Sequence, residues 1–236
     1  MSRHNMLEDK TSGVPDVQDT QHQILDVALR LMQTSGYYAF SYADIAAEVG
    51  VTKASIHYHY PSKAQLGHAA LRSYRRRWQE QLHALTSASV AQRQDAETLL
   101  RGYSRIYRDM IRDGRICLGA ALALESPLLP PDIQSGLTEF YSEHEDWLAH
   151  VIDTGRVAGV LHGSVSPRMQ ARGLIAALQG AMSLARVQHD VYLYCSVAHL
   201  TLAGLGLPIP DMEINDPKGW EMSLGLLDSV APQDGR

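Results

Sequence analysis

Cysteine is nearly absent from this sequence: 236 residues hold two, Cys117 and Cys195. Two thiols are too few for a disulfide framework, so the fold has to come from a buried core, and a reducing cytoplasm is the expected compartment. Long apolar runs are missing too. The first nineteen residues, MSRHNMLEDKTSGVPDVQD, have no apolar centre, which excludes a signal peptide and reads as a flexible polar arm over 1–19. Val191 to Pro210 lacks Asp, Glu, Lys and Arg, but two glycines, two prolines, Ser196, His199 and Thr201 make it a poor spanning helix. No membrane partner is expected. No nucleophile elbow, phosphate loop or His/Glu metal spacing occurs, so no catalytic residue, metal or cofactor is expected. A positive surplus is also lacking, with a formal net charge of −5.

That charge is unevenly spread. Residues 20–85 carry seven Lys/Arg against four Asp/Glu, a local +3, while the flanking segments are −2 and −6. The asymmetry singles out one basic segment in an acidic chain. At 45% hydrophobic residues the chain is rich enough for a substantial core in one or two domains.

Within the basic segment, FSYADIAAEVGVTKASIHYHYPSKAQL (40–66) reads as two short helices and the start of a third. Ser41 and Asp44 have the spacing of a capping box, with the Ser side chain expected to accept from the Asp44 N–H. Ile45, Ala46 and Val49 share one face, and Gly50 supplies the left-handed residue that closes the helix. Thr52 then caps a helix carrying Lys53, Ala54, Ser55, His57, Tyr58 and His59 around an inward Ile56. Pro61 stops it, and Ser62 with Gln65 opens the next. Helix, glycine turn and short polar-aromatic helix form a helix-turn-helix, which presents its second helix to the major groove. His57 and His59, two apart, point to different sides and do not make a metal pair.

Upstream, Thr20 to Ser35 is predicted as a helix closed by Gly36, with Ile24, Leu25, Ala28, Leu31 and Met32 at helical spacing. Downstream, Lys63 to about Leu85 forms a longer helix with the basic group Arg72, Arg75, Arg76 and Arg77, to be read as phosphate contacts or as a solvated face. A polar stretch over Thr86–Gln94 is expected to separate the halves. Further helices follow over Ala96–Asp113, Cys117–Ser126, Asp132 to about Val160, Pro167 to about Val187, and Val191–Leu205. The last two are apolar nearly all round, and the first of them is rich in Gly and Ala, which implies burial on two sides, one against the chain's own core and the other against a second copy of the chain. Pro208, Pro210 and Pro217 leave 208–236 as a tail, docked if at all through Trp220, Leu224 and Leu227.

The run from the Ala-Ala-x-x-Gly-Val turn through Thr-Lys-Ala-Ser-Ile-His-Tyr-His-Tyr-Pro-Ser-Lys resembles the DNA-binding domain of the tetracycline-repressor (TetR/AcrR) family, over roughly Gln21 to Tyr74. The family usually carries tyrosine where His57 stands. The resemblance implies an all-α fold, with a three-helix DNA-binding domain at 20–66 and a helical effector-binding and dimerisation domain at 67–207. It implies a homodimer reading an inverted repeat of double-stranded DNA and released by a small molecule. Lys53 and Ser55 suit base edges, Ala54 or Tyr58 a thymine methyl, and Tyr42, Thr52, His57, His59 and Lys63 phosphates. Pocket candidates are Tyr103, Tyr107, Met110, Tyr141 and Trp147, each equally a core residue. Arg115-Ile116-Cys117-Leu118, with Glu125 beyond, is similar to the segment that holds the sensing cysteine in the N-ethylmaleimide-reductase repressor group. There, Arg112 and Arg115 would lower the Cys117 thiol pKa, whereas a lone cysteine in an apolar helix is otherwise simply buried. The competing readings are a constitutive DNA-binding dimer without effector and a helical-bundle enzyme with a DNA-binding head.

Overall fold

The computed structural model describes residues 17–92 and 95–209, and among them every regular element is helical. The order is α1 (Val17–Ser35), α2 (Tyr42–Val49), α3 (Lys53–His59), α4 (Lys63–Gln92), α5 (Ala96–Arg112), α6 (Leu118–Ala123), α7 (Pro131–Val157), α8 (Pro167–Gln188) and α9 (Val191–Ala203), with one 3₁₀ turn at Ser126–Leu128. None of these helices is long and apolar enough to cross a membrane.

The helix boundaries follow local chemistry. Ser41 caps α2 in a capping box: its side chain accepts from the Asp44 N–H and also from Ala43 N at 3.2 Å, and the Asp44 carboxylate accepts from the Ser41 N–H at 2.7 Å. Gly50 ends α2 at φ +77°. Ser62 Oγ accepts from Gln65 N (3.2 Å), Asp95 Oδ1 from Thr98 N (3.3 Å) and Ser166 Oγ from Met169 N (3.3 Å), each fixing a helix start. Gly36 (φ +93°) closes α1 and Pro130-Pro131 opens α7, while α8 ends at His189 in the left-handed region (φ 53°) and the Asp190 side chain caps α9.

The expected separator at Thr86–Gln94 is different from the prediction. Helix α4 runs on to Gln92, because TSASVAQ contains neither glycine nor proline and Thr86 returns its hydroxyl to Leu82 O at 2.9 Å. Most of the arm at 1–19, and the tail with Trp220, Leu224 and Leu227, lie outside the described residues.

Helices α1–α3 and the start of α4 form a small bundle around Ile24, Ala28, Met32, Ile45, Ile56 and Leu66, all fully buried. Helices α4–α9 form the larger body, with Trp78 at its centre. The indole packs against the rings of Tyr74, Tyr103, Tyr107, Phe140 and His144. The two bundles share α4 and are fastened elsewhere as well. Gln33 Nε2 donates to Ile116 O (2.9 Å), Tyr37 N to Glu125 Oε2 (2.8 Å), and Arg186 Nη1 to Gln33 O (3.2 Å), while Arg186 Nη2 also reaches Thr34 O. The basic group on α4 joins this scaffold. Arg75 pairs with Glu139 and Glu143 of α7, Arg77 with Asp26 of α1, and Arg76 with Glu80. Neither phosphate contact nor plain solvation describes Arg75 and Arg77; they are ties between helices.

Candidate nucleic-acid interface

Helix α3 is seven residues long, and its surfaces are sharply divided. Ile56 is fully buried and anchors it on α1 and α2, while Lys53, Ala54, His57 and Tyr58 are exposed, Tyr58 at 80%. Ser55 and His59 are half-buried. The Thr52 Oγ1 accepts from Ser55 N at 3.1 Å, so its own hydroxyl proton points away from the helix and can serve a phosphate oxygen. A helix this short, with a cationic and an aromatic side chain outward, has the size and chemistry to enter a major groove.

Around it, two of the residues assigned to phosphates have tasks inside the protein. The Tyr42 hydroxyl donates to Tyr60 O at 2.8 Å, its ring lies 4.6 Å from that of His57, and burial pushes its pKa up to about 12. Its proton is therefore engaged in holding α2 to the end of α3. The Lys63 ammonium donates to Phe40 O and lies over the rings of Phe40 (4.3 Å) and Tyr37 (5.0 Å). Burial lowers its pKa. Lys63 fastens the turn between α1 and α2, a role that a basic residue in a first helical turn does not announce in sequence. Thr52, Lys53, Ala54, His57 and Tyr58 are exposed on one short helix and its cap, Ser55 and His59 are half-buried on the same helix, the Tyr42 ring packs against His57, and Lys63 is committed to the Phe40 turn.

Among the described residues, those proposed to line an effector pocket divide between buried positions and two separate clefts. Tyr103, Tyr107 and Cys117 are fully buried. The Tyr103 hydroxyl bridges the Tyr107 hydroxyl (3.1 Å) and His144 Nδ1 (2.9 Å), and burial pushes the His144 pKa down to about 3. Tyr141 donates to Gln179 Oε1 at 2.9 Å. Trp147 stacks on Tyr103, donates to Thr86 Oγ1 at 3.2 Å, and forms a wall of an apolar cleft of about 510 Å³ with Leu99, His150 and Val151. Met110 lines a different cleft, between α1, α4 and α5.

At Cys117 burial raises the thiol pKa. The groups that pull it down are the Tyr74 and Tyr107 hydroxyls and the backbone N–H groups of Ala120 and Gly119, and burial outweighs them. The arginines expected to do so are not among the largest influences on it. In this conformation Cys117 is a protonated core thiol, its amide on Met182 Sδ at 3.1 Å. Arg186 and Glu125 grip the end of α1, a role that no local pattern announces, since their partners lie 152–153 and 88 residues away.

Comparison with known proteins bears on the same surface. The model of "Bacterial regulatory proteins, tetR family" matches residues 24–70. Over 51 residues the chain is 41% identical to the HTH-type transcriptional regulator AcrR of Shigella flexneri, a match covering 22% of this chain and 24% of that protein's length. A TetR-family transcriptional regulator from Agrobacterium tumefaciens superimposes with a TM-score of 0.77 at 30% identity, covering 80% of this chain and 99% of that one. A TetR transcriptional regulator from Legionella pneumophila gives 0.72 at 28%, covering 79% and 97%. The reduced form of NemR from E. coli gives 0.69 at 20%, covering 82% and 100%, a likeness of fold alone.

Proposed function

This chain belongs to the TetR family of bacterial regulatory proteins and is a DNA-binding transcriptional regulator; we propose that it works as a homodimeric repressor of an inverted-repeat operator, released by a small-molecule effector. The observation that carries the reading is the division of α3, with Ile56 sunk in the small bundle and Lys53, Ala54 and Tyr58 turned outward. On this reading Lys53 and Ser55 contact base edges, Ala54 and Tyr58 reach a thymine methyl, and Thr52, His57 and His59 take phosphates, with Tyr42 and Lys63 supporting them. The reading head is 20–66 and the effector and dimerisation body 67–207, between an arm at 1–19 and a tail at 208–236. No catalytic role is proposed for any residue, and the regulator is taken to act in the cytoplasm.

The dimer reading is supported by α8. Met169, Gly173, Ala176, Gly180, Leu184 and Val187 are all exposed and recur along one side of the helix. No other atom comes within 4 Å of where a Cβ would stand at Gly173 or Gly180, so no part of the chain's own fold requires glycine there. An apolar row with small residues left open to solvent suits a second copy approaching backbone to backbone. The effector is taken to enter the cleft at Trp147, whose ring separates that cleft from the hydrogen-bonded Tyr103–Tyr107–His144 group; Met110, Tyr141 and Cys117 would respond behind it.

Footprinting on genomic DNA tests this reading. A protected inverted repeat with half-site centres about one helical turn or a multiple of it apart is expected, with protection lost on adding the compound processed by neighbouring gene products. Protection of a single half-site by a monomer would sink it.

A further inference from the structure

Tyr60, the residue that follows α3, is 6% exposed, and its hydroxyl is enclosed without a hydrogen-bond partner among the described residues. Burial raises its pKa, while the Gln21 amide and the Arg72 guanidinium pull the other way, Gln21 short of hydrogen-bond geometry. Native folds keep few such orphaned donors, because each costs stability. Tyr60 lines a cleft of about 410 Å³ in the small bundle, between Gln21 and His22 of α1 and Arg72, Ser73 and Arg76 of α4. Among the described residues no carboxylate lines it. The nearest ones along α1 and α4 are committed elsewhere: Asp19 accepts from Gln23 Nε2 (3.2 Å), Asp26 pairs with Arg77, and Glu80 with Arg76. Arg72 differs from its neighbours. Its side chain is exposed and makes no ion pair or hydrogen bond among the described residues.

We propose that this cleft is a phosphate site of the reading head, in which one phosphate group takes the Arg72 fork and, as the exposed Gln21 side chain swings aside, the Tyr60 hydroxyl. A planar guanidinium fits a phosphate edge with two parallel bonds, and a hydroxyl without a partner gains a charged acceptor. Arg75 and Arg77 spend their charge on Glu139, Glu143 and Asp26, which leaves Arg72 as the cation of this helix that a ligand can use. Two sources share that chemistry: a backbone phosphate of the bound duplex and a free phosphate-bearing molecule. The cleft adjoins the end of α3, since Tyr60 follows His59 directly. A helix in the major groove is flanked by both sugar–phosphate backbones, which take half to two-thirds of protein–DNA hydrogen bonds. The duplex source rests on the DNA-binding reading above, and it uses none of the residues assigned to base edges.

Titrating the full-length protein onto an operator duplex and an unrelated duplex, over a series of chloride concentrations, tests the duplex source. Calorimetry of the DNA-free protein with inorganic phosphate, at an ionic strength held constant with chloride, tests the free one. If the duplex supplies the phosphate, R72Q lowers affinity for both duplexes about fivefold or more and flattens the slope of log affinity on log salt by about one. Y60F should then weaken both duplexes about threefold or more, and neither variant should change the ranking of operator variants. If the phosphate is free, the parent gives saturable heat that weakens about tenfold in R72Q and in Y60F, with the DNA slope unchanged. R168Q removes an equal charge from α8 and should do neither. Y60F keeps the ring and deletes a donor that the fold leaves unpaired, so its melting midpoint should not fall. The proposal is overturned if both variants bind DNA like the parent and no saturable phosphate heat appears, or if R72Q acts and Y60F does not. It is equally overturned if R168Q reproduces the effect of R72Q, or if Y60F melts lower than the parent. Base contacts are scored by the ranking of operators and this site by an effect common to all duplexes, so the two readings fail separately.

Discussion

Lys53 is exposed and Ser55 half-buried on a helix whose position is set by Ile56, so replacing either by alanine leaves that anchor in place. Lys53→Ala or Ser55→Ala is expected to cost about 1–3 kcal/mol of discrimination at one base pair. Competition among operator variants measures this, and equal ranking by parent and variant would remove the base-contact role. Lys63 behaves differently. Because its ammonium closes the Phe40 turn, Lys63→Ala should lower thermal stability together with affinity for every sequence, and that coupling marks it as a support. His144 gives the molecule an acid limit. Its folded pKa of about 3 lies below the unfolded value of 6.5, so protons bind the unfolded state preferentially between those two values. Its contribution is complete above about pH 6.5 and is lost as pH falls, at up to about 1.4 kcal/mol per pH unit. Urea melts at pH 7, 5.5 and 4.5 should show that slope in the parent and a flatter one in His144→Gln, which is also less stable at pH 7. The neutral state of His144 depends on Phe140, Trp78 and Tyr103 closing around it.

Helix α1 depends on its last turn. Gly36 sits at φ +93°, and a Cβ there would stand 2.4 Å from Glu125 Oε1, the carboxylate that holds the Tyr37 amide. Gly36→Ala combines an unfavourable left-handed alanine with displacement of that carboxylate, so a loss of more than about 1 kcal/mol in unfolding free energy is expected. Glu125→Ala keeps the backbone unstrained and should lose the anchor alone, a smaller drop in the melting midpoint; equal effects would mean that the Glu125 contact accounts for the whole cost. The outward row of α8 offers the opposite experiment. In Gly180→Leu the new Cβ stands in open space, and the change gains helix propensity of about 1 kcal/mol. The expected result is a helical, folded protein whose dimer dissociates at higher concentration in sedimentation equilibrium. An unchanged dimer would move the interface elsewhere. Signals for these elements were local and readable: the Ser41, Thr52 and Ser62 side chains cap helix starts, and Gly50 closes α2 in the left-handed conformation that only its missing Cβ makes easy. The separator at Thr86–Gln94 was misread because polarity alone does not break a helix; without Gly or Pro, α4 continues to Gln92.

At the scale of the whole molecule, a reading head and a body are joined by one continuous helix and by a few long-range grips. If the dimer sets the spacing of two α3 helices at about 34–36 Å, inserting five base pairs between half-sites should abolish binding, and inserting ten or eleven should restore part of it. Gel-shift titration on the three operators distinguishes this from independent heads, which would bind all three alike. The sequence by itself determined the all-helical class, the helix-turn-helix with its caps, and the outward composition of α3, because each depends on residues within one or two turns of one another. Tertiary structure alone decided that Arg75 and Arg77 tie helices together, that Lys63 is turned inward, that Cys117 is kept protonated, and that Arg186 reaches from the body to α1. Each of these depends on what a side chain meets across the fold, on desolvation and partner charge set by residues far away in the chain, and no local pattern encodes such meetings.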